Sequence, residues 1–173
     1  AFRMLGRGKR ALMVQFIKGP WKSGEDELVG KFKIQKAKFK IDDDDFLDGL
    51  ENFYDFHIKK MGRGFVGILG DTLPREDHAA AAREALGFAT SEMQQGRWDL
   101  MILDEINVAV SLGLLTETEV LEAVRAVPAE KFVILTGRGA PQAFLDAADL
   151  VTEMREVKHP FNDGKMAKIA LEF

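Results

Sequence analysis

The chain has 173 residues, of which 46% are hydrophobic and 30% charged, and its formal net charge is −4. This length and composition predict one soluble globular domain with a substantial core, and the acidic balance excludes the basic surface that nucleic-acid binding requires. The absence of cysteine excludes disulfides, thiolate metal sites and cysteine nucleophiles. No apolar run approaches the roughly 20 residues needed to cross a bilayer, and no signal-peptide pattern is present, so we expect a cytoplasmic protein with no membrane partner.

The first third of the chain predicts a helix end, a strand and an unusual lysine-rich segment. Ala1–Arg10 resembles the last turns of an amphipathic helix that lacks its beginning, so we expect further sequence upstream of Ala1. Ala11–Ile17 is an apolar run typical of a buried strand. Between residues 30 and 60, apolar residues alternate with lysines and the phase slips once, which predicts an extra hairpin or bulged strand pair. Asn52–Ile58 is a second possible strand.

The remainder alternates helices and strands. An alanine-rich stretch predicts a long helix over Pro74–Gln95, and Asp99–Asp104 follows as a strand. In the next helix, Thr116–Val127, Thr116 and Glu119 have the spacing of a capping box. The last predicted elements are the strand Lys131–Thr136, the helix Pro141–Ala148, the strand Asp149–Met154 and a final strand Lys168–Phe173. This alternation predicts an α/β fold with a mostly parallel sheet that helices cover on both faces.

Polar residues follow two of the predicted strands directly. Asp104 and Glu105 end one apolar run, and Thr136-Gly137-Arg138-Gly139 ends another. In open α/β sheets ligands bind outside the carboxyl ends of the strands, so these residues suggest a site for a metal and a polyphosphate. The alternative is that the charged pair marks only where a buried strand surfaces, and that the glycines form only a turn into the next helix.

Other polar features carry less information. Gly62-Arg63-Gly64-Phe65 could let the backbone approach a flat ligand, although a loop whose phenylalanine plugs the core is an equally simple interpretation. Asp42–Asp45 lack the ligand spacing and the central glycine of a calcium-binding loop, so we interpret them as a solvated acidic turn. The three histidines, His57, His78 and His159, are too few and too scattered to predict a metal site.

Several segments together resemble a known family. In chain order, the matching segments are LGRGKRALMVQFIKGPWKSGE (Leu5–Glu25), MGRGF (Met61–Phe65), DHAAAAREAL (Asp77–Leu86), WDLMILDEINVAVSLGLL (Trp98–Leu115), VILTGRGAP (Val133–Pro141) and ADLVTEMREVKHPFNDG (Ala148–Gly164). They resemble the phosphate-loop type of corrinoid adenosyltransferase, which acts on cob(I)alamin or cob(I)yrinic acid a,c-diamide. The resemblance implies a phosphate-loop NTPase-like (RecA-like) sheet and a homodimer, with an electron-donating reductase as a further partner.

The resemblance also implies a reaction. Reduced Co(I) of a corrinoid attacks C5′ of ATP, the 5′-deoxyadenosyl group moves to cobalt, and inorganic triphosphate leaves. It assigns Asp104 and Glu105 to Mg²⁺ or Mn²⁺, and Glu105 and Phe65 to catalysis, with Phe65 against the lower face of the corrin. The residues that it assigns to ATP or corrinoid binding are Arg3, Gln15, Lys18, Trp21, Gly64, Phe65, Asn107, Thr136, Arg138, His159 and Phe161.

The sequence departs from the family pattern at three places. Residues 1–173 contain no glycine-rich phosphate loop ending in Lys-Thr or Lys-Ser, which the family has just upstream of the segment matching Leu5–Glu25. Without that loop we expect poor ATP binding. Gly67 stands where the family often has a tryptophan, and Gly30–Lys60 is longer than the corresponding family segment. Two other functions stay open on sequence alone: a non-catalytic corrinoid carrier, and a generic phosphate-loop ATPase or nucleotide kinase.

Overall fold

A four-stranded parallel sheet forms the centre of the molecule. The structure, a computed structural model, describes residues 1–21, 23–27, 56–68 and 70–164. The strands are β1 (Ala11–Gln15), β2 (Phe56–Lys60), β3 (Leu100–Asp104) and β4 (Phe132–Leu135). Their order is β2-β1-β3-β4, and every neighbouring pair is parallel. All four carboxyl ends therefore lie along one edge of the sheet, where Gln15 is in register with Lys60 on one side and Asp104 on the other.

Helices connect and cover the strands. They are α1 (Phe2–Leu5), α2 (Arg75–Gln94), α3 (Ile106–Ser111), α4 (Glu117–Arg125) and α5 (Gln142–Ala147), followed by a 3-10 helix (Pro160–Asp163). The predicted capping box is confirmed: Glu119 N donates to Thr116 Oγ1, and the Glu119 carboxylate accepts from Thr116 N. Within these described ranges, no helix combines the length and the apolar content needed to span a bilayer.

The core lies on both faces of the sheet. On one face, small side chains of α2 such as Ala85 and Ala89 pack with strand residues such as Leu103 and with Val120 of α4. On the other face, Leu5 of α1 packs against Leu100 and Ile102. Because alanine side chains are small, the α2 backbone can approach the sheet closely. This long helix therefore packs well although it carries few large apolar residues. The α/β class with a parallel sheet flanked by helices is confirmed.

Some predicted elements differ from the structure. The predicted strand Asp149–Met154 is wrong: within the described part of the chain this segment has no strand neighbour, and Leu150 and Met154 are 85% and 93% exposed. A strand forms only where its backbone makes hydrogen bonds to a neighbouring strand, and an apolar composition does not show that such a neighbour is present. The predicted hairpin near 30–60 falls mostly on residues 28–55, outside the described residues, as does the predicted strand Lys168–Phe173; only Phe56–Lys60 is described, as β2.

Candidate functional site

Side chains from three strands meet at the carboxyl edge of the sheet. Asp104, the last residue of β3, accepts one hydrogen bond from Gln15 Nε2 (3.0 Å to Oδ2) and one from Thr136 Oγ1 (3.0 Å to Oδ1). Gln15 ends β1, and Thr136 directly follows β4. We call this group, together with Glu105 and Asn107, the carboxyl-edge cluster. The predicted convergence of the two strand ends is confirmed.

Glu105 has an unusual backbone conformation. Its φ of 63° is the only positive value at a non-glycine position among the described residues. A side chain in this left-handed region costs roughly 1–2 kcal/mol, and such strain is concentrated at functional sites. The Glu105 N–H donates to Thr136 Oγ1 at 3.0 Å, which helps to hold the strained turn between β3 and α3.

Neighbouring groups and burial change the pKa of the Glu105 side chain. Burial is the largest cause that raises its pKa above the ordinary value of 4.5, and the negative charge of Asp104 raises the pKa further. The positive charges of Arg138 and Lys18 lower it in part. Two neighbouring, partly buried carboxylates thus interact electrostatically with two cationic side chains, so this edge of the sheet can receive a cation and an anionic group together.

The loop after β4 lies directly against α3. Asn107 N donates to the carbonyl oxygen of Thr136, and Asn107 Nδ2 donates to that of Gly137 at 3.1 Å. Gly137 has a φ of 115°, and a Cβ at this position would lie 3.2 Å from Glu105 Cα. Only glycine allows this approach without strain, so the TGRG sequence fixes the loop beside the acidic pair.

Two buried acceptors of the carboxyl-edge cluster lack a hydrogen-bond partner. They are Gln15 Oε1 and Asn107 Oδ1, and both residues are more than nine-tenths buried. A buried amide oxygen without a donor costs about 1–3 kcal/mol, so such groups call for an explanation. A bound ligand or water at the carboxyl edge would supply the missing donors.

An aromatic pair lies at the same edge, beyond β1 and β2. The rings of Trp21 and Phe65 stack with centroids 5.8 Å apart at an angle of 25°. Gly62 N donates to the carbonyl oxygen of Gln15, which attaches the Phe65 loop to the end of β1. Lys60 Nζ donates to the carbonyl oxygen of Trp21, which holds the tryptophan beside β2. Phe65 stays 46% exposed, so the stack presents an apolar surface.

Three residues assigned from the resemblance lie on other elements of the structure than the carboxyl-edge cluster. Arg3 is exposed on α1 and has no described contact with the carboxyl-edge cluster. His159 is half-buried just before the 3-10 helix, where its carbonyl oxygen accepts from Asn162 N. Phe161 lies in that 3-10 helix, but its side chain is outside the described part of the structure.

Sequence reasoning missed two features. The short helix α3, which carries Asn107, was not predicted, although Gly113 with a φ of 67° is a usable end signal shortly after it. The buried contact between Asp71 and His78 was also missed, because the pairing of two residues across a loop has no sequence pattern.

Comparisons with known proteins show which family this chain belongs to. The family model described as ATP:corrinoid adenosyltransferase BtuR/CobO/CobP matches residues 1–173. The chain belongs to this family. Corrinoid adenosyltransferases from Escherichia coli strain K12 and Pseudomonas aeruginosa are 33% and 34% identical to it. The first comparison covers 100% of this chain and 76% of the relative, and the second covers 99% and 73%. Corrinoid adenosyltransferase CobA of Salmonella typhimurium is 31% identical, with 100% of this chain and 76% of the relative covered.

Proposed function

We propose that this protein transfers the 5′-deoxyadenosyl group of ATP to the cobalt of a reduced corrinoid and releases triphosphate. The observation that carries the proposal is the convergence of Asp104, Glu105 and Thr136, at the same sheet edge as the Trp21–Phe65 stack, in a member of this family. One half of the site suits a phosphate chain with its cation, and the other half suits a large flat ring. A generic ATPase or kinase would use only the first half, and a corrinoid carrier only the second.

The triphosphate would lie beside Arg138 and Lys18. Both positive charges lower the pKa of Glu105 in part, which supports this position for the phosphate chain. An arginine fork binds phosphate oxygens through two donors, and lysine adds a compact point charge. Because the leaving triphosphate gains negative charge as the C5′–O bond breaks, these cations stabilise the transition state more than the bound substrate.

The acidic pair fits a divalent cation. Mg²⁺ in phosphate-handling proteins is held by one or two carboxylates and completes its octahedral shell with phosphate oxygens and water. Asp104 and Glu105 meet that requirement, whereas the described residues contain no cluster of three or more His, Cys, Asp or Glu that would form an all-protein site. When bound, the cation would neutralise charge on the triphosphate. Gln15 and Thr136 orient the Asp104 carboxylate by donating to one oxygen each.

The corrinoid would lie against the aromatic pair. Trp21 and Phe65 offer an apolar surface, and Gly64 packs under the tryptophan ring, where a Cβ would lie 3.1 Å from a ring carbon. An apolar, water-poor pocket protects Co(I) from side reactions. In the proposed step, the cobalt lone pair attacks C5′, the new Co–C bond forms as the C5′–O bond breaks, and the bonding electrons leave with triphosphate. The chain mainly positions the two substrates, because the corrinoid itself is the nucleophile.

The decisive experiment uses the full-length protein with Mg²⁺, ATP and a chemically reduced corrinoid. The expected result is a light-sensitive Co–C product, detected by its visible spectrum before and after illumination, with one triphosphate released per product. Asp104→Asn keeps the shape of the side chain but removes its charge, and we expect it to lower the rate about a hundredfold. Asp77→Asn, an exposed position in the first turn of α2, is the matched control and should keep the wild-type rate.

Two outcomes would contradict the proposal. Release of inorganic phosphate without a Co–C product would favour a generic ATPase. Equal rates for Asp104→Asn and Asp77→Asn would remove the acidic pair from the reaction. The homodimer, the reductase partner, the cytoplasmic location and the single-domain organisation remain predictions from the sequence; sedimentation of the full-length protein is the direct test of the first.

A further inference from the structure

The loop that carries Phe65 is rich in glycine. It joins β2 to α2, and Gly64, Gly67 and Gly70 all have positive φ values, of 111°, 70° and 81°. Glycine in such conformations leaves many alternative backbone states open, so the loop needs fixed contacts to hold one geometry. At its first end, Gly64 N donates to the carbonyl oxygen of Ile17 at 3.0 Å.

The second end of the loop is held by one carboxylate. Asp71 Oδ2 accepts from Gly67 N at 2.8 Å, and Asp71 Oδ1 accepts from Leu73 N at 3.1 Å. His78 Nε2, in the first helical turns of α2, lies 3.0 Å from Oδ2 and 3.2 Å from Oδ1. The backbone hydrogen bonds from Gly67 and Leu73 are the largest causes that lower the pKa of Asp71, so this carboxylate is ionised at neutral pH.

The side chains of the pair are largely shielded from solvent, whereas apolar side chains of the same loop are exposed. The side chains of His78 and Asp71 are only 2% and 9% exposed, whereas Phe65, Ile68 and Leu73 are 46%, 58% and 43% exposed. A buried ionisable pair is rarely a better source of stability than apolar packing, and its best-attested role is to specify one geometry. Here the geometry that it specifies is that of the loop that holds Phe65 at the carboxyl edge.

We propose that Asp71 and His78 are positioning residues, which hold the 62–73 loop in the conformation that presents Phe65 to the corrinoid. This inference rests on the proposed function. His78 fixes the carboxylate relative to α2, and the carboxylate fixes the loop backbone through Gly67 and Leu73. Neither side chain contacts the reacting atoms. Their loss should therefore weaken use of the corrinoid and leave ATP binding at the Asp104 end unchanged.

The test compares three variants of the full-length protein with a control. Asp71→Asn removes the charge and one acceptor, His78→Leu removes the donor, and His78→Gln keeps a donor at similar reach. Asp77→Asn is the control, because it removes an exposed carboxylate from the same helical turn. For Asp71→Asn and His78→Leu we expect the KM for the corrinoid to rise about tenfold, the effect of one hydrogen bond to a charged group, with the KM for ATP within about twofold of wild type.

A second measurement does not depend on activity. Hydrogen exchange at the amides of Gly67 and Leu73 should be about tenfold faster in Asp71→Asn, while amides of β3 keep their wild-type rates. His78→Gln should show the wild-type KM for the corrinoid and the wild-type exchange rates at Gly67 and Leu73. If His78→Leu does not fold, Asp71→Asn and His78→Gln carry the comparison.

The outcomes separate the positioning role from a purely structural one. Equal changes in both KM values, in step with a lowered melting temperature, would overturn the proposal, as would unchanged exchange at Gly67 and Leu73. A wild-type protein that forms no Co–C product would refute the proposed function instead, and the exchange comparison would still decide whether the pair holds the loop.

Discussion

Replacing Thr136 with valine should weaken the carboxyl-edge cluster, because it removes a hydroxyl that makes two hydrogen bonds. The hydroxyl of Thr136 both donates to Asp104 Oδ1 and accepts from Glu105 N, at 3.0 Å in each case. Valine has nearly the same shape as threonine but can do neither. The substitution therefore removes the hydrogen bonds and leaves packing almost unchanged.

The expected cost follows from these two contacts. A hydrogen bond to a carboxylate contributes about 1.5–3 kcal/mol, and leaving the Glu105 N–H without an acceptor costs about 1–3 kcal/mol. Thr136 is only half-buried, so water can replace part of both contacts. We therefore expect Thr136→Val to lower the free energy of unfolding by about 2 kcal/mol, a value well above the effect of an average surface substitution.

Urea unfolding followed by circular dichroism measures this difference. Thr136→Ser keeps the hydroxyl and should recover most of the loss. Thr90→Val is the matched control: Thr90 Oγ1 donates only to the carbonyl oxygen of Leu86 within α2, and such back-bonding in a helix adds little stability. The reasoning fails if Thr136→Val and Thr90→Val have the same midpoint, or if Thr136→Ser is as unstable as Thr136→Val.

Two further predictions concern backbone strain and acid stability. Glu105→Gly should abolish activity but raise the free energy of unfolding by about 1 kcal/mol, because glycine adopts a φ of 63° without strain. The control Glu122→Gly, in the middle of α4, should lower the free energy of unfolding. A loss of stability in both variants would contradict the strain argument. Hydrogen bonds from Thr116, its backbone N–H first, lower the pKa of Glu119 below the ordinary 4.5. The stabilisation from Glu119 is thus present above pH 4.5 and disappears as the pH falls through the lowered pKa. Below pH 4.5 the unfolding midpoint should decrease less steeply with falling pH in Glu119→Gln than in the wild type, whereas Glu117→Gln should show the wild-type pH dependence. The same pH dependence in both variants would refute this assignment.

The sequence carried enough information for the fold class and for the main site. Parallel strands appear as short apolar runs and their carboxyl ends share one edge, so the residues after two such runs are expected to lie along that edge. This argument predicts that Asp104, Glu105 and Thr136 lie at one edge of the sheet. The capping box of α4 was equally accessible, because Thr116 and Glu119 interact within one helical turn.

Long-range pairing could not be predicted in the same way. Asp149–Met154 has the composition of a strand, but a strand is defined by its neighbour, and composition does not name that neighbour. The assignment of Arg3 from the resemblance stays a prediction, because Arg3 is exposed on α1 and has no described contact with the carboxyl-edge cluster.

The amino-acid sequence by itself determined the alternation of strands and helices and the chemistry available at the strand ends, because hydrophobic periodicity and helix caps act over a few neighbouring residues. Only the tertiary structure decided that Thr136 bridges Asp104 and Glu105, that Glu105 is strained, and that Asp71 and His78 form a buried pair. Each of these features depends on the distance between segments that are far apart in the sequence. The packing of the helices against the sheet sets that distance, and no local sequence pattern encodes it.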